Sequence, residues 1–152
     1  MRTSSATDPT ACKISSAVAK LDAVGIVVTD LARAVKFYRL LGVPFEAGAE
    51  TSEHGHTEAR LDGGVRLLLD TEEGMQSFDP SWKRAPSGSP GTNVAFGCES
   101  PAAVDELYAR ALSAGGHAHR APWDAFWGQR YAQLRDPDGN AVDLYANLPS
   151  QS

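Results

Sequence analysis

"LDAVGIVVTDLARAVKFYRLLGV", residues 21–43, encodes a strand, a capped helix and a stop. Leu21 to Val28 is rich in β-branched residues and reads as a strand. Asp30 is placed to cap a helix, along which Leu31, Ala34, Val35, Tyr38 and Leu41 recur at helical spacing until Gly42 ends it. Seventy residues on, "TNVAFGCESPAAVDELYARALSAGG", residues 92–116, runs the same way. Val94 falls on Val24, Phe96 on Ile26, Ser100 on Asp30, Val104 on Ala34 and Tyr108 on Tyr38. Ser100 followed by Pro101 is a cap with proline at the first helical position, and Gly115 and Gly116 close the second helix.

The segments downstream of the two helices also match. "VPFEAGAETSEHGHTEARLDGGVRLLLDT", residues 43–71, predicts a strand over 43–47, a loop, and a hairpin turning at Asp62-Gly63-Gly64. "HAHRAPWDAFWGQRYAQLRDPDGNAVDLYA", residues 117–146, predicts a strand, a loop and a hairpin turning at Asp138-Gly139-Asn140. Superposing the two turns sets Leu67 opposite Asp143 and Leu69 opposite Tyr145. The unit is βαβββ, and it occurs twice. One unit leaves an apolar sheet face uncovered, so two must combine. The expected fold class is α+β: two βαβββ modules forming a cupped mixed sheet with helices outside. The expected boundaries are a mostly disordered leader over 1–20, a first module over 21–70, a Gly-, Pro- and Ser-rich linker loop over 71–91, and a second module over 92–147, together one domain.

Composition narrows the function classes. The chain has 152 residues, 42% hydrophobic and 22% charged, with a formal net charge of −5. That is ordinary for a soluble globular protein, and the acid excess gives no footprint for nucleic acid. No apolar run approaches the roughly 20 residues that span a bilayer, and the first twenty residues lack the apolar block of a signal peptide. Cys12 and Cys98 make no disulfide framework. A cytoplasmic location, with neither nucleic acid nor membrane as partner, is the expectation.

Residues 21 to 147, and above all "VGIVVTDLARAVKFYRLLGV" (24–43) and "FWGQRYAQLRDPDGNAVDLYA" (126–146), resemble the vicinal oxygen chelate superfamily, the glyoxalase, bleomycin-resistance and extradiol dioxygenase group. The resemblance implies the cupped fold. It also implies a divalent metal held by one His or Glu from each of four strands. Carried over, those positions are Ala23 and Asn93 on the opening strands, and Leu67 and Asp143 on the closing ones. Alanine and leucine have no lone pair to offer, Asn93 is a neutral carbonyl donor, and Asp143 is a methylene shorter than the usual Glu. A catalytic zinc needs about three protein ligands, so no metal cofactor is expected, with a divalent metal as the alternative. The pairs His54-Gly55-His56 and His117-Ala118-His119 lie outside the family positions and read as solvated. His54 is expected at a pocket edge, because the loop before the hairpin borders the cavity in relatives.

Strand alternation sorts the faces. Val142, Leu144, Ala132 and Leu134 suit the core, leaving Asp143, Tyr145, Tyr131 and Gln133 for the concave side. Asn93, Ala95 and Gly97 share that side, with Ala23, Gly25 and Val27 as their counterparts and Leu67 and Leu69 as an apolar wall. Trp82, Trp123 and Trp127, joined by Phe78 and Phe126, fall in loops or at strand edges. They serve either as loop anchors and interface or as a stacking platform for a planar ligand. Arg84, Arg120 and Arg130 are open to an anionic ligand or to surface carboxylates. The function expected is metal-free binding of a small planar or aromatic compound by a homodimer. The candidate ligand contacts are Asn93, Asp143, Tyr145, Tyr131, Gln133, Trp127, Trp123, Trp82, Phe78, Leu67, Leu69 and His54. The alternative is a lyase, isomerase or dioxygenase-type enzyme, metal-dependent or using Asp143 as base.

Overall fold

The computed structural model describes residues 19–86 and 90–150, so all but the last two residues of the leader expected over 1–20, Cys12 included, lie outside the described residues. Strand β1 (Ala23–Val28) leads into helix α1 (Leu31–Leu40), whose first turn is capped by the Asp30 carboxylate accepting from the Arg33 N–H at 3.0 Å. Then come β2 (His56–Arg60), β3 (Arg66–Thr71) and a short helix α2 (Glu72–Phe78). The second half holds β4 (Asn93–Gly97), α3 (Pro101–Ser113) capped by Ser100, β5 (His117–Ala125), β6 (Gln129–Arg135) and β7 (Ala141–Asn147). Two mixed sheets result, ordered β1-β3-β2 and β4-β7-β6-β5, with β1–β3 and β4–β7 parallel and the remaining pairs antiparallel. Among the described residues no helix is long and apolar enough to cross a membrane.

One core runs under both sheets. Phe37 and Tyr38 of α1 and Val104 and Ala111 of α3 pack with Val28, Leu67 and Leu69 of the first sheet and with Leu134, Val142 and Leu144 of the second. Core residues alternate along every central strand, which fixes the opposite face of each sheet as the open, concave one.

Three expectations are corrected. The strand over 43–47 does not form, so the first module is βαββ. Pro44 has no N–H to give to a ladder. Arg39 occupies the acceptors instead, its guanidinium donating to the carbonyls of Phe45 (3.2 Å) and Glu46, while Val43 and Phe45 still drop into the core. The linker is not all loop, because Thr71 caps α2 by accepting from the Gly74 N–H at 3.0 Å.

The third correction is register. The hairpin turns share one pattern: Leu61 N–H to Val65 O (2.8 Å) with Gly64 N–H to Leu61 O (3.0 Å), and Asp136 N–H to Asn140 O (2.8 Å) with Gly139 N–H to Asp136 O (3.0 Å). Gly64 and Gly139 both sit at positive φ, +96° and +91°, where only glycine is unstrained. Thus Gly64, not Gly63, matches Gly139. Gly25 pairs with Leu68 as its repeat counterpart Ala95 pairs with Asp143. Leu68 therefore stands where Leu67 was expected, and Leu67 and Leu69, at 1% and 0% exposure, belong to the core and not to the concave wall.

Candidate functional site

The concave face of the second sheet consists of three rungs. Trp123, Tyr131, Tyr145 and Gly97 stand side by side across β5-β6-β7-β4; so do Arg120, Gln133, Asp143 and Ala95; so do His117, Arg135, Ala141 and Asn93. Successive rungs are about 7 Å apart, two residues along a strand. The first rung is aromatic and the second centres on a carboxylate. The third is polar and basic.

Asp143 is only 4% exposed. Its Oδ2 accepts from the Tyr131 hydroxyl and from the Asn93 side-chain amide, each at 2.6 Å. Two donors on one oxygen stabilise the buried charge; among the described residues Oδ1 takes no hydrogen bond. Burial first, and then the adjacent Asp143 carboxylate, push the Tyr131 phenol up to about 12, so it remains a donor at neutral pH. Asp143, Asn93 and Gln133 line a cleft of about 330 Å³ together with His119, Arg135 and the 90–92 segment.

The aromatic side is continuous. Trp123 meets Tyr131 edge-on at 5.5 Å and Trp127 at 6.1 Å, Trp127 meets Tyr131 at 5.3 Å, and Tyr131 stacks with Tyr145 at 6.3 Å. Tyr145 is seated against Gly97, where a Cβ would come within 3.2 Å of the tyrosine hydroxyl. The Arg120 guanidinium lies over the Trp123 ring, 3.5 Å from its centroid.

The structure thus brings together Asn93, Asp143, Tyr145, Tyr131, Gln133, Trp123 and Trp127. It does not bring the others. Trp82 follows α2 on the first half, beside Arg84 at 6.0 Å, and Phe78 at the end of α2 is 70% exposed. The helix before them, α2, packs on β1 and β3, and neither Trp82 nor Phe78 lines the cleft beside Asp143. His54 borders a separate cleft with Ser52, Thr71 and Gly74. Leu67 and Leu69 are in the core.

Sequence reasoning missed Arg135, although alternation from Tyr131 through Gln133 points to it. It also missed how Arg120 faces. Counting back from Trp123 by twos puts Arg120 on the outer side, but register shifts between Ala118 and Arg120 and between Arg120 and Trp123 pair it with Gln133. Bulges of this kind re-aim a side chain. His119, at the first of these shifts, lines the cleft with Gln133 and Arg135, and His117 pairs with Arg135.

The family metal positions, in corrected register, are Ala23, Leu68, Asn93 and Asp143. The first two have no donor atom, which leaves only the Asn93 amide oxygen and the Asp143 carboxylate. The residues present do not fit the three-ligand set of a catalytic site.

A family model described as Glyoxalase/Bleomycin resistance protein/Dioxygenase superfamily matches residues 20–144. No curated protein matches. Among solved structures, the chain is similar to a glyoxalase/bleomycin resistance protein/dioxygenase family enzyme from Burkholderia phytofirmans PsJN (22% identity, 86% of this chain and 100% of that one, TM-score 0.73). It is also similar to a glyoxalase-related enzyme from Fulvimarina pelagi (20%, 86% and 89%, TM-score 0.69) and to a lactoylglutathione lyase from Agrobacterium tumefaciens (19%, 86% and 95%, TM-score 0.58). These likenesses show the shared fold. With the family match running through both modules, the chain belongs to the Glyoxalase/Bleomycin resistance protein/Dioxygenase superfamily.

Proposed function

We propose that this chain binds a small planar aromatic compound on the concave face of its second sheet, without a divalent metal. The observation that carries the reading is Asp143: a buried carboxylate whose Oδ2 is held by Tyr131 and Asn93 while Oδ1, beside an aromatic rung, has no hydrogen-bond partner among the described residues. A planar ring stacks or packs edge-on against Tyr131, Trp123 and Trp127, and a hydroxyl or amino hydrogen on that ring donates to Oδ1. Aromatic walls with a few fixed polar groups are the usual make-up of a small-molecule site.

The test is a tryptophan-fluorescence titration of EDTA-treated protein with 2-naphthol, indole and 4-hydroxybenzamide. Saturable quenching by at least one of them is expected. Asp143→Asn should weaken it about tenfold, the loss of one charge-assisted hydrogen bond. Quenching that appears only after a divalent metal is added, or none with any compound, sinks the reading.

A further inference from the structure

The concave face of the second sheet carries positive charge that its own carboxylates leave unmatched. Arg84 is held by Glu72 at 2.9 Å, and Arg130 by Asp105 and Asp124 at 2.9 and 3.1 Å. On the first sheet, Arg66 bridges Asp22 and Glu58, and His56 meets Asp70 at 2.8 Å. Arg120 and Arg135 differ. Among the described residues neither has a carboxylate partner, and Arg135 makes only a long contact, 3.4 Å, to the carbonyl of Leu134.

Their placement makes them one unit. Arg120 stands beside Gln133, and Arg135 follows Gln133 by two on the same strand and face. Both side chains are rooted next to Gln133, Arg135 lining the cleft with it and Arg120 turned toward Trp123, so an anion over Gln133 has an arginine on either side. The Arg120 Cζ stands 3.5 Å from the Trp123 ring centroid, a cation–π contact that takes up none of the N–H donors an anion would need. Gln133, a neutral spacer, separates this pair from Asp143.

Resting on the proposal that this face holds a planar ligand, we infer that Arg120 and Arg135 bind an anionic group of that ligand, a carboxylate or a phosphate, while Asp143 accepts a hydrogen bond from its other end. Asp143 and Arg120 lie two strands apart, about 10 Å between backbones, a span that side chains close around a single substituted ring. Opposite charges at the two ends fix which way the ligand lies. They also favour an anionic compound over neutral and cationic ones of the same shape.

Calorimetric titration with 4-hydroxybenzoate, 4-hydroxyphenyl phosphate and the neutral 4-hydroxybenzamide tests this. At least one anion should bind about tenfold more tightly than the amide, and the better of the two identifies the anion. Arg120→Gln and Arg135→Gln should each erase most of that advantage while leaving amide binding in place, and added salt should shrink it. Equal affinity for all three compounds overturns the anion subsite and leaves the planar-ligand reading standing. An advantage that survives in both variants overturns the assignment to these arginines. Failure of all three compounds to bind overturns the anion subsite, and failure of 2-naphthol and indole as well overturns the planar-ligand reading.

Discussion

At Tyr131, burial and the Asp143 carboxylate act in the same direction, both against the phenolate. The folded-state pKa, about 12, therefore lies above the ordinary value near 10. A group that holds its proton more tightly when folded adds stability that is complete below the unfolded pKa and is lost as pH rises through the folded one. Stability is expected to fall between about pH 10 and 12, and Tyr131→Phe should flatten that decline. An absorbance titration of tyrosinate should lose its step near pH 12 in the same variant, whereas a step unchanged in Tyr131→Phe would show that another tyrosine titrates there. Much of this site is legible in the sequence, because Asp143, Tyr145, Tyr131 and Gln133 follow the period of two that any regular strand imposes. Arg120 is not legible. Its orientation depends on two bulges in β5, and nothing in "HAHRAPWDA" marks where an extra residue will be absorbed.

At the scale of elements, β3 presents three consecutive leucines, Leu67, Leu68 and Leu69, and hydrophobicity cannot say which of them faces the core. The turn decides. "LDGGV" offers two glycines, either of which can sit under Gly139, and choosing Gly63 shifts every side chain of β3 to the other face. Backbone hydrogen bonds show Gly64 in that role, which places Leu67 and Leu69 beneath the sheet and Leu68 above it. Leu67→Ala should then cost about 2–5 kcal/mol, as other large-to-small core changes do. Leu68→Ala, on the half-buried open face, should cost at most about 1 kcal/mol. Chemical denaturation of the two variants compares them directly, and equal losses would refute the register. The failed strand over 43–47 has a different cause. Its alternation of Val43 and Phe45 is real and both side chains are buried, but a proline and a neighbouring arginine claim the backbone that a ladder needs.

For the molecule as a whole, repetition explains each half but not how the halves meet. That contact rests partly on Asp136, fully buried at the start of the second hairpin turn. Its carboxylate accepts from the Asp138 N–H, the Asn140 N–H and the Asn140 amide, all at 2.8 Å and all local to the turn. The fourth donor is the Tyr38 hydroxyl, also at 2.8 Å, which comes from α1 of the first half. Burial and then Asp136 hold that phenol protonated far above the usual tyrosine range, so the bond persists at any working pH. Thr29 and Arg33 add contacts to Asp138 nearby, at 2.5 and 3.5 Å. The local donors come from "DPDGN" itself, whereas the tyrosine lies 98 positions away, too far for any spacing rule to connect. Tyr38→Phe keeps the ring in the core and removes one hydrogen bond to a charged acceptor, so a loss of about 1.5–3 kcal/mol is expected. Asp136→Ala removes the acceptor for four donors at once and should cost more, upwards of about 3 kcal/mol. If the two halves unfold as one unit, urea denaturation of Tyr38→Phe will show a single transition at a lower midpoint with an unchanged slope. Two separated transitions, or an unshifted midpoint, would mean that this buried carboxylate serves its own turn alone and that apolar packing and the Asp138 contacts join the modules.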